Sequence, residues 1–330
     1  PADVTRNEAR PKSVVVAKLM GGLGNQMFQY GAGLALARRT GATLKLDLSL
    51  LLDRTPRKNF TYRNYDLDLF TLPDDCVVQK TAEAAPDAGL ATFAEKQFSF
   101  DARFESLEGN TYLDGYWQSP RYFAEVVDEL RATFASFRLP LAPAEAALAA
   151  EIRGRASVCL NVRRGDFVAN PKTNAFHGVC SEQYFRNAVE HLRSRVQDAH
   201  FYIFSDDVEW CRGANLTDGA PCTFVSHEFA GERFSSYLQL MIACRHFIIP
   251  NSTFAWWAAF LGGTKDSVVV APTPWFSDLS IETSDLMPAT WTLMSRQPGP
   301  VPKDRAATPK VSVIVPCYKQ AHYLQECVES

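Results

Sequence analysis

The chain has 330 residues, 46% of them hydrophobic, with 34 Lys plus Arg against 37 Asp plus Glu and a formal net charge of −3. That mix excludes collagen-like, disordered and coiled-coil chains, and the length suits two packed domains better than one small core. The near-even charge leaves no global basic field for nucleic acid, and no stretch approaches the ~18 apolar residues of a membrane-spanning helix.

Residues 1–13 are polar, without the apolar stretch of a secretory signal, and read as a disordered lead-in. Val14 to Leu19 is a β-branched, apolar run, hence a buried strand. Gly21-Gly22-Leu23-Gly24 breaks it, Phe28 to Arg39 keeps helical spacing up to Gly41, and Leu44 to Asp47 is the next strand. Strand, glycine-rich turn, helix and strand open a parallel α/β sheet. Residues 50–110 are less regular. A strand end is expected over Thr111–Trp117 and a single helix from Arg121 to Phe134, with Pro120 near its start. Leu139-Pro140-Leu141-Ala142-Pro143 punctuates the chain, and a domain boundary falls near residue 150.

The second half repeats the logic. Strands over Ser157–Val162, Phe201–Phe204, Phe247–Ile249 and Val268–Val270 alternate with helices over Gln183–Arg195, Phe234–Ala243 and Phe254–Leu261. Three of these strands end in polar or charged residues: Arg163-Arg164-Gly165-Asp166, Ser205-Asp206-Asp207 and Asn251-Ser252-Thr253. Open α/β sheets place ligands beyond the carboxyl ends of their strands. Residues 297–310, with four prolines, have linker composition, and Val311–Val315 begins what reads as another domain.

Eight cysteines (76, 159, 180, 211, 222, 244, 317 and 327) form no C-x-x-C pair, and several lie in apolar runs, so reduced thiols in a cytosolic protein are expected. His177 and Cys180 stand three apart, but no second ligand pair makes a zinc site of them.

Between strand and helix, Gly22 and Gly24 let backbone N–H groups approach a diphosphate, with the amides of Asn25 and Gln26 at the mouth of the turn. The dinucleotide fingerprint is not met, because Met27 occupies the place of its third glycine; a nicotinamide enzyme is therefore disfavoured, although Asp47 has the spacing of a ribose ligand. Adjacent arginines at a strand end face opposite sides: Arg163 suits a diphosphate, and Arg164 with Asp166 forms a supporting pair. Ser205, Asp206 and Asp207 lack the Asp-x-Asp spacing of a metal-dependent nucleotide-sugar enzyme and suit hydroxyl contacts or helix capping. Asn251, Ser252 and Thr253 open a helix and offer an anion or base site. Trp256 and Trp257 read as core, with sugar stacking as the lesser reading.

The segments G-G-L-G-N-Q-M-F-Q (21–29), R-R-G-D (163–166) and N-S-T-F-x-W-W (251–257), with Tyr112–Phe123 and Phe204–Asp207 between them, occur in the order and spacing of glycosyltransferase family 11. The chain resembles its α-1,2-fucosyltransferases over residues 14–290. The resemblance implies an α/β GT-B architecture of two Rossmann-like domains facing a cleft: an acceptor-side domain over 14–150 and a donor domain over 151–296. It also implies inverting, metal-independent transfer of L-fucose from GDP-fucose to a galactoside hydroxyl, in bacterial-type polysaccharide or O-antigen synthesis. Residues 311–330, after the linker 297–310, resemble the start of a family 2 glycosyltransferase, which would make the chain part of a two-transferase fusion. The expected partners are a nucleotide-diphosphate sugar and a glycan acceptor, free or lipid-linked. Neither nucleic acid, cofactor nor metal is expected, and the expected place is the cytoplasm, including the inner face of the membrane.

Two positions depart from the family pattern. Asn161 stands where the family's H-x-R-R-G-D has histidine, and Tyr237, fifteen positions before Ser252, stands where the family carries an acid. The resemblance implies that both help hold guanine, and a phenol cannot accept from two guanine donors as a carboxylate can. Asp206, Asp207 or Glu232 is a substitute. GDP-fucose remains the first reading; dTDP- or UDP-linked 6-deoxyhexose such as L-rhamnose is the second, and a non-catalytic sugar-binding module the third. The donor set is Gly22, Gly24, Asn25, Asn161, Arg163, Ser205, Asp206, Asp207, Tyr237, Asn251, Ser252 and Thr253. Arg163, Arg164 and Asp166 are the catalytic candidates. Asp114, His177 and Asp47 are weak candidates for the general base.

Overall fold

The computed structural model describes residues 13–57, 61–79 and 90–297. These lie in one compact unit that ends at Gln297. Most of the polar lead-in, most of the linker and the family-2-like segment fall outside the described residues.

Two all-parallel sheets form the frame. The first contains β1 (Val14–Lys18), β2 (Thr43–Asp47), β3 (Cys76–Gln79), β4 (Ala91–Ala94) and β5 (Thr111–Asp114) in the order β3-β2-β1-β5-β4. The second contains β6 (Ser157–Val162), β7 (His200–Ser205), β8 (Cys222–Phe224), β9 (His246–Ile248), β10 (Val269–Thr273) and β11 (Thr292–Ser295) in the order β11-β10-β9-β6-β7-β8. Two Rossmann-like lobes of this kind make a GT-B-like architecture.

The central strands are those whose apolar runs the sequence displays. β6 is buried at all six positions, as a parallel strand covered on both faces must be. The four strands that the sequence reading passes over, β3, β4, β8 and β11, are the four sheet edges. Edge strands are covered on fewer sides and tolerate polar or exposed residues, so no long apolar run marks them; the longest, Cys76-Val77-Val78 of β3, has three residues.

The helix expected from Arg121 to Phe134 is two pieces. A 3-10 segment, Pro120–Val126, departs from helical geometry at Phe123 (φ −130°), and an α-helix then runs Val127–Ala135. Phe123 seats its ring on Phe28 and Trp257, 5.9 and 5.4 Å between centroids, and this tertiary seat prevails over helical periodicity.

One hydrophobic cluster runs through both lobes. Its bridge is the contact between helix Leu23–Thr40, which follows β1, and helix Thr253–Gly262, which follows β9. Phe28 lies 4.6 and 5.0 Å from the rings of Trp256 and Trp257, both fully buried. The tryptophans are core residues, with indole N–H groups donating to Leu286 O and Gly24 O. At Gly24 the helices meet backbone to backbone: a Cβ there would lie 2.5 Å from the carbonyl carbon of Thr253 and 2.6 Å from Phe254 N.

Gly24→Ala is therefore expected to push the lobes apart and cost about 1–3 kcal/mol of overpacking. A lowered thermal unfolding midpoint checks it; an unchanged midpoint would contradict the tight junction.

Candidate active site

The two helix N-termini that meet at this junction open onto a cleft of about 410 Å³, within the range of small-ligand sites. Gly21, at φ +77°, makes the left-handed turn out of β1 that lets the first helix start. The N-caps are Gly22 and Ser252. Neither helix has a side-chain cap bond or an acidic residue in its first turn, so the leading N–H groups and the positive ends of both dipoles face the cleft. Such a pair of helix ends is an anion site.

The glycine-rich turn is held by buried amides. Gln26 donates to Gly21 O and Asn64 O (2.9 and 2.8 Å) and accepts from Asp66 N (2.8 Å). Asn25 Oδ1 accepts from Thr253 Oγ1 and Gln118 Nε2 (3.0 and 3.1 Å), a second tie between the lobes.

Arg163 leaves the end of β6 into the cleft. Its Nη1 lies 2.9 Å from Asp206 Oδ2, and the guanidinium sits over the Phe167 ring at 5.6 Å. The other Asp206 oxygen accepts from Arg164 N at 2.8 Å. Arg164 does not line the cleft: its guanidinium stacks on Trp210 at 3.8 Å and its Nε lies 3.3 Å from Asp207. Among the described residues its acidic partner is Asp207; the expected pairing with Asp166 falls on a side chain outside the described residues. Asp207 also stands outside the cleft lining, where it caps helix Val208–Ala214 through Trp210 N (3.1 Å).

Gly22, Gly24, Asn25, Asn161, Ser205, Asp206, Tyr237, Asn251, Ser252 and Thr253 all border the cleft. Several are already engaged. The Asn251 amide, 2% exposed, donates to the carbonyls of His177, Gly178 and Trp275, so it ties loops together and has little left for a ligand. Ser205 Oγ accepts from Asp207 N.

Asn161 and Tyr237 both line the cleft and both touch Phe204, Asn161 through its carbonyl and Tyr237 through its ring at 5.4 Å, with Phe234 5.8 Å from the Tyr237 ring. Asn161 Nδ2 donates to Phe204 O (3.2 Å), which turns its Oδ1 away from that carbonyl. Tyr237 Oη donates to Val225 O (2.7 Å), and burial pushes the phenol up to about 12, so it stays neutral. The Asn161 amide also approaches Met241 Sδ at 3.9 Å, which leaves Asn161 Oδ1 and Tyr237 Oη as acceptors for a ligand.

Of the weak candidates for the general base, Asp114 pairs with Lys18 at 2.9 Å, and Asp47, 2% exposed, accepts from Tyr112 Oη and Ser49 N; neither borders the cleft. His177 does. Glu232 pairs with Arg233 at 3.3 Å and lies outside the lining.

The structure adds residues that the sequence reading passed over. Arg233 crosses from the second lobe to Asp68 (2.7 Å), Asp66 (3.4 Å) and Tyr65 O (2.8 Å) of the first. Burial raises the Asp66 carboxyl above its ordinary value while Arg233 pulls it back. Arg233 and Phe234, both in the cleft lining, adopt positive φ (49° and 64°), unusual for non-glycine residues. Phe98, Tyr116, Phe167, Phe176 and Phe276 form an aromatic wall. No motif announces these residues, because they come from loops scattered over both halves of the chain. Among the described residues, no three His, Cys, Asp or Glu side chains group as a metal site, and no helix is long and apolar enough to cross a membrane.

Residues 93–294 match the model of glycosyl transferase family 11. An alpha-1,2-colitosyltransferase from Escherichia coli is 31% identical over 296 residues, 86% of this chain and all of that one. The O-antigen biosynthesis glycosyltransferase WbnK from Escherichia coli is 29% identical over 292 residues, 78% of this chain and 94% of that one. Among solved structures, the fucosyltransferase NodZ from Bradyrhizobium aligns with a TM-score of 0.44 at 14% identity, over 76% of this chain and 92% of that one. The protein belongs to glycosyltransferase family 11.

Proposed function

We propose that this glycosyltransferase moves a 6-deoxyhexose, L-fucose first, from its GDP-linked donor to a hydroxyl of a galactoside, with inversion and without a metal, in bacterial polysaccharide synthesis. The observation that carries the guanine assignment is the pair Asn161 and Tyr237. The Tyr237 hydroxyl donates to Val225 O, and the Asn161 amide nitrogen donates to Phe204 O and, weakly, to Met241 Sδ at 3.9 Å, so each side chain is left with an oxygen that can accept from a ligand. Guanine presents a ring N–H and an exocyclic amine side by side, and two acceptors can take one each. The missing family carboxylate is then replaced by two neutral groups, one accepting bond apiece.

The donor's connectivity orders the remainder. With the base at Asn161 and Tyr237, the diphosphate falls at Arg163 and the two helix N-termini, and the sugar falls beyond, toward Phe167 and His177. The acceptor oxygen attacks the anomeric carbon in line. The new C–O bond forms as the bond to the β-phosphate oxygen breaks, and GDP leaves with the electron pair. Arg163 and the uncapped N–H groups meet the charge that develops on the leaving phosphate, preorganised in a partly enclosed site. Asp206 orients Arg163, and Arg164 with Asp207 braces the turn after β6. The acceptor proton passes to His177, the one weak candidate for the base that borders the cleft.

Three outcomes test this. Calorimetric titration should show GDP bound at least tenfold more tightly than dTDP or UDP, since one unmet buried donor costs about 1–3 kcal/mol; tighter dTDP binding would overturn the guanine assignment and leave the family standing. Arg163→Ala should fold normally and lose a hundredfold or more in turnover, on the order of 3 kcal/mol, with Arg163→Lys also poor because a point charge does not reproduce the fork. Near-normal turnover in a folded variant would remove Arg163 from the reaction. Transfer in excess EDTA should equal transfer with magnesium; a metal-rescued loss would show that cation binding at Asp206 and Asp207 outweighs their arginine contacts.

A further inference from the structure

The cleft has two aromatic groups. One surrounds Tyr237. The other is a continuous wall contributed by both lobes. Phe276, 3% exposed, forms its floor. Phe98 of the first lobe packs on it at 4.7 Å between centroids, and Phe176 of the second at 5.0 Å. Tyr116 stacks behind Phe98 (6.1 Å, 12° between planes). His177 stacks on Phe167 (4.7 Å, 8°), next to the Arg163 guanidinium. Phe176 is 40% exposed, so the outer part of the wall faces the entrance.

The wall is firmly built. Arg296, 3% exposed, lies among its supporting segments and pairs with no carboxylate among the described residues. Its guanidinium donates to His177 O, to Ser277 Oγ at 3.1 Å and, at the limit of a hydrogen bond, to Trp275 O at 3.5 Å. Asn251 donates to the same two carbonyls from another side. A buried cation without a counter-ion is costly to keep. The guanidinium's hydrogen bonds all go to the two segments, 176–178 and 275–277, that carry Phe176 and Phe276.

We propose that Phe98 and Phe176, resting on Phe276, form the acceptor subsite and bind the apolar face of a pyranose ring, with its reacting hydroxyl turned inward to His177. This rests on the glycosyl-transfer reading above. The electron-rich face of an aromatic ring suits the C–H face of a sugar, and the positions fit: diphosphate at Arg163, transferred sugar at Phe167, acceptor toward the entrance. Because Phe98 and Phe176 come from opposite lobes, the acceptor is gripped only when both lobes are in place. Motif spacing could not reveal this, since the two rings are 78 positions apart in the chain.

The test uses methyl β-D-galactopyranoside as acceptor probe with the intact chain. Phe176→Ala and Phe98→Ala should each raise its KM about tenfold, the loss of one stacked, area-burying ring. GDP affinity measured by calorimetry should stay within twofold, which a general loosening of the fold would not allow. Phe176→Trp should keep a KM near that of the wild type. Saturation-transfer NMR of galactoside binding in the presence of nucleotide needs no turnover, so it separates this proposal from the donor assignment. Loss of the galactoside signal in Phe176→Ala supports the subsite even where GDP-sugars fail as donors. A wild-type signal retained by both variants, or no galactoside signal from the wild type, overturns it.

Discussion

The functional geometry depends on one close approach, the meeting of helix Leu23–Thr40 with the start of helix Thr253–Gly262. A glycine at position 24 brings two backbones within the reach of a single methyl group. That closeness lets Trp257 donate to Gly24 O and Thr253 to Asn25, and it seats Phe28 between two buried tryptophans. It also brings two uncapped helix N-termini to one place. A hydrophobic contact between lobes and an anion site in the cleft are thus consequences of the same packing. The lobes cannot be separated in energetic terms, because one cluster of buried side chains passes through both.

Charge in the cleft is held in place by fixed ion pairs. Arg163 faces the cleft and is steadied by Asp206, whose second oxygen is taken by the main chain of Arg164. Arg164 is spent on Asp207 and Trp210. The strand-end cluster thus separates into one arginine that lines the cleft and one that braces the turn behind it; under the proposed function, that fixed placement is what lets electrostatic stabilisation avoid reorganisation during reaction. The same economy governs the amides. Asn251 and Gln26 border or approach the ligand space, yet their hydrogen bonds go to loop carbonyls, because buried main-chain groups must be satisfied before any ligand arrives.

The two departures from the family pattern acquire a physical sense only in three dimensions. As residue types, Asn161 and Tyr237 can each donate or accept. The carbonyls of Phe204 and Val225, with the Met241 sulfur, take up their donors and leave Asn161 Oδ1 and Tyr237 Oη to accept. A carboxylate accepts by its chemistry; here neutral side chains accept by virtue of their neighbours, without the cost of burying another charge.

The sequence by itself determined the sheet class, the central strands, the glycine turn and the strand-end arginines. These are local features: apolar runs long enough to be buried on both faces, a conformation open to glycine, and charge that stability alone does not explain. It did not reveal the four edge strands, whose half-exposed residues form no long run, nor the break at Phe123, where a ring's seat on Trp257 defeats helical periodicity. It could not assign the partner of Arg164, the structural duty of Asn251 or the removal of Asp47 and Asp114 from the cleft. Each of these depends on which distant group lies within 3 to 4 Å. The tertiary structure alone decided the Arg233 bridge to Asp66 and Asp68, the support of Arg296, and the wall that joins Phe98 to Phe276. The first and last of these link residues more than a hundred positions apart in opposite lobes and depend on the packing of the lobes at Gly24, and the Arg296 contacts gather three second-lobe segments that no motif joins.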